Sequence, residues 1–402
     1  MVIGIIGAGA SGMAAAITAA QIKDNQIVIF ERQARVGRKL QATGNGRCNL
    51  TNLHTAPEHY HGLHTDFAAS ALGKYPAQET LGWFRSLGLV TVAEDSGRVY
   101  PYSDQANSVV DILRFSLERP NIQLLTGFEV TKVRHQNPGF AVESAEETVF
   151  CDKLIVACGG LAGTKLGGSM SGYKILQKFG HRCSKLRPAL VQLKSDWHGC
   201  AGLKGVRANC HACIFHNGNL FSQSSGELQF TEFGLSGPVI FEISRDVCHE
   251  RGNWVCNLDL LPGMEQEELF AILTAKRGSH LAAEDLLTGV LHNRLGRVIV
   301  KEAGVSLHAP IRQLEDWELR RVCEVVKCLA VPLTEPMGMD SAQVTAGGIF
   351  TVDFNEETME SRLIPGLFAC GEVLDIDGDC GGYNLQWAWS SGRCAGEAAG
   401  RN

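Results

Sequence analysis

The first 31 residues alternate between apolar runs and one glycine-rich turn. Val2–Ile6 and Gln26–Phe30 are short apolar runs that predict buried strands. Between them, the glycine-rich segment Gly7–Gly12 predicts a tight turn, and the alanine-rich segment Met13–Ala20 predicts a helix. Strand, glycine turn, helix and strand follow one another as in a parallel βαβ unit. The pattern therefore predicts an α/β fold of the Rossmann type.

The glycine spacing in this turn matches a dinucleotide-binding fingerprint. Gly7 permits the tight turn, Gly9 lets the backbone approach a pyrophosphate, and Gly12 lets helix and strand pack closely. The unpaired N–H groups of the helix would face the phosphates. Glu31 lies 19 residues past Gly12, where a carboxylate would accept hydrogen bonds from a ribose diol. The predicted contacts are Gly7, Gly9, Ala10, Ser11, Gly12, Glu31 and Arg32.

Residues 37–49 form a loop rich in glycine and cations, where a simple NAD dehydrogenase would enter its next helix. Arg38 and Lys39 would meet phosphate oxygens, and the Gly44–Gly46 turn would offer N–H groups to the flavin of an extended FAD. Cys48 is either a redox thiol or proton donor, or a small buried neighbour of the flavin; most buried cysteines are inert. The predicted contacts are Arg38, Lys39, Thr43, Gly44, Asn45, Gly46, Arg47, Cys48 and Asn49.

The carboxyl end of the chain supplies a second set of candidate cofactor contacts. Leu367–Cys370 predicts a buried strand, and the turn Gly378–Gly382 leads into a helix that opens near Asn384. Glu372 would bind the ribityl hydroxyls, and the helix dipole would stabilise negative charge on the reduced flavin. Tyr383 is a candidate acid near the flavin N5. The predicted contacts are Gly371, Glu372, Gly382, Tyr383, Asn384, Leu385 and Gln386.

A third segment completes the predicted cofactor site. The segment from Lys153 to Cys158 predicts an apolar strand that stops at Gly159 and Gly160, and Gly127–Val133 also has a strand pattern. Val130 would offer backbone groups to the adenine, and the turn after the first strand would close over the cofactor. Ala157, Cys158, Gly159 and Gly160 are the contacts predicted in that turn. No helix, strand and acid follow them at the spacing of a second Rossmann unit, so we expect no separate NAD(P)H domain.

The pattern changes between residues 191 and 342, which predicts an inserted region. Alternating runs between residues 191 and 260 predict antiparallel strands, with a tight hairpin turn at Asn217-Gly218. Further along, helical periodicity predicts helices over Glu265–Lys276, Asp285–Arg294 and Leu314–Leu329. Residues 191–340 contain 14 Lys and Arg against 19 Asp and Glu, and an acidic insert does not indicate a nucleic-acid clamp.

Composition narrows the class of protein further. The chain has 402 residues and a net charge of −6, which argues against broad, non-specific nucleic-acid binding. Its 14 cysteines are scattered as free thiols would be in a reducing compartment, and no apolar stretch is long enough for a membrane helix. The N-terminus lacks a signal-peptide pattern. We therefore expect a cytoplasmic protein without a membrane partner, and no histidine or cysteine spacing indicates a metal site.

Five motifs together resemble the BaiN/YhiN-like family of NAD(P)/FAD-dependent oxidoreductases, also called aminoacetone oxidase family flavoproteins. The motifs are GAGASG, GRKLQATGNGRCNLTN, ELQFTEFGLSGP, QVTAGGI and GEVLDIDGDCGGYNLQWAWSSG, and they span nearly the whole chain. The resemblance implies non-covalently bound FAD in a Rossmann-like domain formed by residues 1–190 and 343–402. It also implies an inserted β-barrel (191–262 and 330–342) and a small helical subdomain (263–329).

These observations predict an FAD-dependent oxidoreductase. Hydride would pass through FAD between NAD(P)H, or a small organic substrate, and an acceptor bound between the insert and the isoalloxazine. The resemblance implies three chemistries: reduction of conjugated double bonds in steroid-like molecules, amine oxidation, and uridine reduction in ribosomal RNA. A small-molecule substrate is the leading expectation. A dihydrouridine-forming reductase of ribosomal RNA and a non-catalytic flavin-binding protein stay open as alternatives, and neither a catalytic acid or base nor the oligomeric state follows from the sequence.

Overall fold

The computed structural model describes residues 1–136, 138–247 and 249–401. Contacts divide the chain into two compact units, one formed by Met1–Pro188 with Ala342–Asn402 and the other by Ala189–Ser341. The predicted subdivision of the insert into barrel and helical parts stays a prediction.

The secondary structure is as follows, in chain order. The strands are β1 Val2–Ile6, β2 Gln26–Glu31, β3 Thr51–Asn52, β4 Tyr60–His61, β5 Thr91–Ala93, β6 Arg98–Pro101, β7 Ile122–Thr126, β8 Lys132–His135, β9 Phe140–Glu143, β10 Thr148–Cys151, β11 Lys153–Val156, β12 Arg187–Ala189, β13 Leu193–Lys194, β14 Arg207–His216, β15 Asn219–Thr231, β16 Gly234–Ser236, β17 Trp254–Asp259, β18 Leu329–Leu333, β19 Val344–Ala346, β20 Leu367–Ala369 and β21 Asp377–Gly378. The helices are α1 Ala10–Ala19, α2 Arg38–Ala42, α3 Asp66–Lys74, α4 Ala77–Ser86, α5 Ala106–Ser116, α6 Ser171–Lys178, α7 Gly199–Gly202, α8 Pro238–Ile243, α9 Gln266–Ala275, α10 Asn293–Glu302, α11 Asp316–Lys327 and α12 Tyr383–Gly400.

The first unit is built on a parallel sheet with the strand order β20-β11-β1-β2-β7. Every neighbouring pair in it is parallel, and β1 lies at the centre, paired with β2 on one side and β11 on the other. Ile3 and Ile5 on β1 are completely buried, as expected for a strand covered on both faces. The carboxyl ends of these strands therefore meet at one edge, where ligands of such sheets bind.

One predicted strand is wrong. The segment Gly127–Val133 is not a single strand: β7 ends at Thr126 and β8 begins at Lys132. Gly127 has φ +73°, a left-handed conformation that ends the extended backbone. Val130 consequently lies in the connection between two strands, half-buried.

The first and last helices of this unit, α1 and α12, touch backbone to backbone. A Cβ on Gly392 would lie 2.4 Å from the carbonyl oxygen of Ser11, and a Cβ on Gly396 would lie 2.3 Å from that of Ala15. The two glycines are four residues apart, so they share one face of α12. Only glycine allows this separation of the helices, since any side chain on that face would overlap the α1 backbone.

The second unit contains an antiparallel sheet with the strand order β13-β16-β15-β14-β17-β18. Its two edges meet through a bridge between Leu193 and Pro336 and a backbone hydrogen bond of 3.0 Å from the Thr334 N–H to the Lys194 carbonyl. These contacts close the sheet into a barrel, which leaves no extended free edge there. The predicted hairpin turn is confirmed, because Asn217 and Gly218 have φ +51° and +84°, the signs a type I′ turn requires.

The helices of the second unit partly differ from their prediction. The structure has α9 and α11 close to the predicted ranges, and Glu315 and Glu318 form a capping box at the start of α11. The helix predicted over Asp285–Arg294 is wrong: that range holds the end of a 3₁₀ turn and a loop, and α10 begins only at Asn293. Gly289, with φ +83°, interrupts the helical backbone.

Among the described residues, no helix combines the length and the apolar character that crossing a bilayer requires.

We predict that Gly396→Ala lowers the free energy of unfolding by about 1–3 kcal/mol, because its methyl group would force α1 and α12 apart. Gly82→Ala, on the exposed face of α4 with open space around it, is the matched control. The control should be neutral or stabilised by about 0.5–1 kcal/mol, since alanine restricts the unfolded chain more than glycine does. Urea unfolding followed by circular dichroism measures both; equal stability of the two variants would contradict the helix contact.

Candidate functional site

Gly7, Gly9 and Gly12, in the turn after β1 and the first turn of α1, have three different environments. Gly7 has φ +104°, and a Cβ on it would lie 2.6 Å from the Ala157 carbonyl oxygen. A Cβ on Gly12 would lie 1.9 Å from the carbonyl oxygen of Gly7, so Gly12 is needed for the turn to pack on the helix. A Cβ on Gly9 would meet nothing within 4 Å. Gly7 and Gly12 therefore shape the turn, whereas the absence of a side chain at Gly9 leaves open space before α1.

The start of α1 presents its backbone to that open space. The helix begins at Ala10 and Ser11 after the extended residue Gly9, and no side chain caps it. Uncapped N–H groups and the positive end of the helix dipole favour an anion. The segment thus has the geometry of a pyrophosphate site.

Glu31, at the end of β2, accepts a hydrogen bond from the glycine turn that follows the neighbouring strand β1. Its Oε2 accepts a hydrogen bond of 2.8 Å from the Ala8 N–H, and its Oε1 accepts one of 2.8 Å from the Gln33 N–H. Two backbone donors therefore fix the orientation of the carboxylate beside the turn. A carboxylate has about four acceptor positions, so two remain for a diol.

A cavity of about 600 Å³ is lined by Arg32, the residue that follows Glu31 in the chain. Arg32, Val130 and several residues of α6 line it. Arg32 also donates a hydrogen bond to the carbonyl of Gly167, which holds its guanidinium at the cavity wall. The volume is within the usual range of small-molecule sites, roughly 300–1,000 Å³.

The turn after β11 lies against the carboxyl-terminal part of the site. The Ala157 N–H donates to the Ile6 carbonyl at 2.9 Å, and Cys158 Sγ lies 3.6 Å from the same oxygen. A Cβ on Gly160 would lie 2.4 Å from Glu372 Oε1, whereas one on Gly159 would meet nothing. Gly160 thus permits the close approach of Glu372 to this turn.

Two predicted cofactor contacts pair with each other. Lys39 Nζ and Glu372 Oε2 form an ion pair of 2.8 Å, and Glu372 Oε1 accepts a 2.9 Å hydrogen bond from the Thr345 N–H. These residues are 333 positions apart in the chain, so the pair joins the amino-terminal loop to the carboxyl-terminal turn. Lys39 and Glu372 thereby act as structural partners, and their predicted contacts with the cofactor stay predictions.

The two arginines of the loop, Arg38 and Arg47, contact other side chains of the protein. Arg38 is exposed and donates to Gln33 Oε1 at 3.1 Å. Arg47 contacts Asp104 and Glu94, and its guanidinium lies 4.0 Å from the centre of the Tyr100 ring. Arg47 therefore attaches the loop to the β5–β6 hairpin through Glu94, and its predicted contact with the cofactor stays a prediction.

Three consecutive residues of the loop have a left-handed backbone conformation. Gly44 and Asn45 have φ +58° and +56°, and Gly46 has φ +86°. All three residues are exposed, and a Cβ on Gly46 would meet nothing within 4 Å. The turn is held from behind by Thr43, whose carbonyl accepts a 3.0 Å hydrogen bond from the Cys48 N–H.

Cys48 is completely buried, and burial raises the pKa of its thiol to about 12. At neutral pH the sulfur is therefore protonated and inaccessible. This environment favours the small-neighbour interpretation over a redox thiolate.

The start of α12 is fixed by a polar network. Gln386 is completely buried, and its amide nitrogen donates to the Tyr75 carbonyl, Thr80 Oγ1 and Ser390 Oγ at 2.8–2.9 Å. Thr51 Oγ1 donates to its Oε1 at 2.6 Å. The Gln386 side chain therefore stabilises the start of α12 from inside the protein, and the predicted contact of this residue with the flavin stays a prediction.

Asn384 and Gly382 shape the turn before α12. Asn384 exchanges hydrogen bonds of 2.8 Å and 2.7 Å with the backbone N–H and carbonyl of Gly378. Gly382 has φ +103°, and a Cβ on it would lie 2.5 Å from the Thr51 carbonyl oxygen. Leu385 follows, half-buried, on the first turn of the helix.

Asn49 carries a polar atom without a hydrogen-bond partner. Its Oδ1 atom is buried and has no hydrogen-bond partner. It faces the turn before α12, at 2.9 Å from where a Cβ on Gly382 would lie. A buried, unsatisfied acceptor is costly, and a bound group that donates a hydrogen bond would satisfy it. Together with the open space at Gly9 and the uncapped α1, this atom fits a long dinucleotide such as FAD.

A charged cluster beside this turn did not follow from the sequence. Asp379 lies between two imidazoles, with Oδ2 at 2.9 Å from His59 Nδ1 and Oδ1 at 2.6 Å from His61 Nε2. Burial would raise the pKa of Asp379, but the hydrogen bonds from His61 and His59 lower it on balance. His59 lies just before β4 and His61 lies on it, and this spacing alone did not indicate a shared partner. Their carboxylate partner is some 320 residues away.

Comparison with known proteins shows the family of this chain. The family described as HI0933-like protein Rossmann domain matches residues 1–398. The chain is 37% identical to the 3-dehydro-bile acid delta(4,6)-reductase of Clostridium scindens, over 99% of this chain and 98% of the relative. It is 32% identical to the ribosomal RNA dihydrouridine synthase of Escherichia coli K12, over 96% of this chain and 95% of the relative. A protein of the same name in Haemophilus influenzae is 30% identical, over 96% and 95%.

Among solved structures, the chain is similar to the 3-ketosteroid delta1-dehydrogenase of Sterolibacterium denitrificans in complex with 1,4-androstadiene-3,17-dione. The TM-score is 0.51 at 11% identity, with 99% of each chain covered, which shows a common fold. The predicted fold class and the resemblance stated from the motifs are confirmed. This chain belongs to the HI0933-like Rossmann family and is an FAD-dependent oxidoreductase.

Proposed function

We propose that this oxidoreductase saturates a conjugated carbon–carbon double bond in a small, flat organic molecule, with NADH or NADPH as the electron donor. The observation that carries the proposal is the 37% identity, over nearly the full length of both chains, to a reductase named for the delta(4,6) bonds of a 3-dehydro-bile acid. The net charge of −6 is compatible with such a substrate.

The described residues suggest how FAD would be held. The uncapped start of α1 beside Gly9 would take the pyrophosphate, and the free acceptor positions of Glu31 would take the adenosine ribose. Arg32 and Val130, on the wall of the cavity, would enclose the adenine. Asn49 Oδ1 would accept a hydrogen bond at the flavin end. FAD, when bound, supplies hydride transfer; the chain supplies position and electrostatics.

The start of α12 would tune the flavin end electrostatically. Gly382 and Tyr383 begin an 18-residue helix without a side-chain cap. The positive end of such a helix stabilises a neighbouring negative charge, typically by 0.3–1 kcal/mol and up to ~2 kcal/mol when partly buried. Placed beside the flavin, it would favour the reduced, anionic state and so help the cofactor accept hydride.

The direct test is anaerobic reduction followed by oxidation with a candidate acceptor. We expect the purified yellow protein to be bleached by NADH or NADPH, and its flavin absorbance to return on addition of a 3-oxo-4,6-diene bile acid. The corresponding saturated 3-oxo bile acid is the control and should leave the protein bleached. Return of the absorbance only with oxygen would contradict the proposal and favour an oxidase.

A second candidate is reduction of uridine in ribosomal RNA. Two relatives with that name are 32% and 30% identical over most of the chain, a weaker match than the reductase. The excess of acidic residues over residues 191–340 disfavours a large RNA interface there. Reoxidation of the bleached protein by unmodified ribosomal RNA, with dihydrouridine formed, would favour this candidate.

The non-catalytic alternative loses its basis, because the chain belongs to a family of oxidoreductases.

We predict that Gly9→Val gives folded but colourless protein. Gly9 has φ −85°, which valine tolerates, and its side chain would occupy the open space before α1 where the pyrophosphate would lie. Gly338→Val, at an exposed glycine of the insert with open space around it, is the control and should stay yellow. Flavin absorbance per protein and the circular dichroism spectrum measure the outcome; stoichiometric flavin in Gly9→Val would refute the assignment.

We predict that Glu31→Ala weakens FAD binding by roughly 1.5–3 kcal/mol, the usual value of a hydrogen bond to a charged group. The variant loses the contact with the ribose. It also leaves the Ala8 and Gln33 N–H groups without the carboxylate that accepts their hydrogen bonds. Glu146→Ala, in an exposed turn of the same unit, is the control. Titration of FAD-free protein by flavin fluorescence gives both dissociation constants; equal affinity of the two variants would contradict the ribose contact.

A further inference from the structure

The cluster of His59, Asp379 and His61 is joined to the start of α12 by several contacts. The His59 ring stacks on Tyr383, with ring centres 4.3 Å apart and planes inclined by 24°. Tyr60 Oη donates a 3.1 Å hydrogen bond to the Tyr383 carbonyl. The cluster therefore lies beside the turn that would face the flavin.

Backbone hydrogen bonds hold the segments that carry His59, His61 and Asp379 side by side. β4 and β21 pair antiparallel, with His61 opposite Asp377 and Tyr60 opposite Gly378. The Asp379 N–H donates to the His59 carbonyl at 2.9 Å. The side chains remain 23–35% exposed, so the cluster connects the buried turn to solvent.

Three other groups in the same region, Cys48, Tyr60 and Lys39, are poorly suited to donate a proton. Burial raises the pKa of Cys48 to about 12 and also raises the pKa of Tyr60. Lys39 is held in its ion pair with Glu372. Histidine is the side chain whose charge changes nearest neutral pH, and enzymes use it most often as a general acid.

We propose that His59 is the proton donor for double-bond reduction, with Asp379 and His61 as positioning residues. Asp379 orients the His59 ring against Tyr383, and His61 links the same carboxylate to solvent. The inference rests on the proposed function, because it assigns the acid which that reaction requires.

The reaction adds one hydride and one proton across the double bond. A hydride that originates from NAD(P)H is added through FAD to one carbon of the double bond, and the π electrons form a bond between the other carbon and the proton of the His59 imidazolium. The double bond becomes a single bond with two new C–H bonds. NAD(P)H is oxidised, the alkene is reduced, and the neutral His59 regains a proton from solvent.

Other charged and titratable groups surround the cluster and would influence it. Tyr383 and Tyr60 flank His59, and Asp377 lies opposite His61. Asp375 Oδ2 accepts a long hydrogen bond of 3.4 Å from the Leu63 N–H, and Arg98 lies beside Gly381 in the turn before α12. Among these groups within the described residues, only His59, Asp379 and His61 combine two imidazoles with a shared carboxylate.

The test compares His59→Gln, Asp379→Asn and the control His64→Gln, which changes an exposed histidine near β4. Each protein is loaded with FAD, reduced anaerobically, and mixed in a single turnover with the 3-oxo-4,6-diene bile acid or with oxygen. We expect His59→Gln to slow reoxidation by the dienone about 10²–10⁴-fold, the usual contribution of a general acid. Reoxidation by oxygen and FAD affinity should stay within a few-fold of the wild type, and imidazole should restore part of the dienone rate.

A second measurement does not depend on activity. The ¹⁵N chemical shifts of the His59 ring in FAD-free protein report which nitrogen carries the proton. We expect Nδ1 to carry it in the wild type and Asp379→Asn to change this tautomer balance, whereas His64→Gln should not. The rate profile of Asp379→Asn against pH should also shift, which a purely structural role would not cause.

A wild-type dienone rate and pH profile in His59→Gln would overturn the proton-donor role while the proposed function stands. Equal loss of FAD affinity and of both reoxidation rates in that variant would also overturn it, in favour of a structural role. Failure of the dienone to oxidise the wild type would overturn the proposed function, and the proton-donor role would fall with it.

Discussion

Backbone contact between α1 and α12 is the constraint on which the rest of the first unit depends. Gly392 and Gly396 allow the last helix to lie directly on the first, at Ser11 and Ala15. The contact brings the turn after β1 next to the turn after β20, where a Cβ on Gly371 would lie 2.5 Å from Ser11 Oγ. One ligand site can therefore be built from the two ends of the chain.

The site uses backbone more than charge. Cations that would suit phosphates are engaged elsewhere: Arg47 holds a hairpin, and Lys39 joins the two halves of the site through Glu372. The open space before α1 is bordered by the uncapped start of that helix and by Gly9, a residue without a side chain, while the unsatisfied oxygen of Asn49 lies buried against Gly382. Such groups are pre-oriented by the fold, so binding does not require long side chains to be ordered. The same fold leaves His59 and Asp379 at the rim, half-exposed and next to Tyr383.

The sequence predicted the parts of the site that are encoded locally. Gly7, Gly9 and Gly12 have distinct roles because they stand at fixed offsets between one strand and one helix, and the structure gives each its own environment. The helix predicted at Asp285–Arg294 and the strand at Gly127–Val133 failed for a common reason. Each contains a glycine with positive φ, and residue periodicity does not reveal that the backbone reverses there.

From its own residues the chain determined an α/β fold, a dinucleotide turn and a second flavin-type motif, because periodicity and glycine spacing act over a few residues. Only the tertiary structure decided which polar side chains remain available to a ligand. Gln386 proved to be internal to the protein, Lys39 found Glu372, and Asp379 met His59 and His61 from the opposite end of the chain. These partners are more than 300 residues apart, and their pairing depends on the packing of the glycine-lined face of α12 on α1, which brings distant segments together.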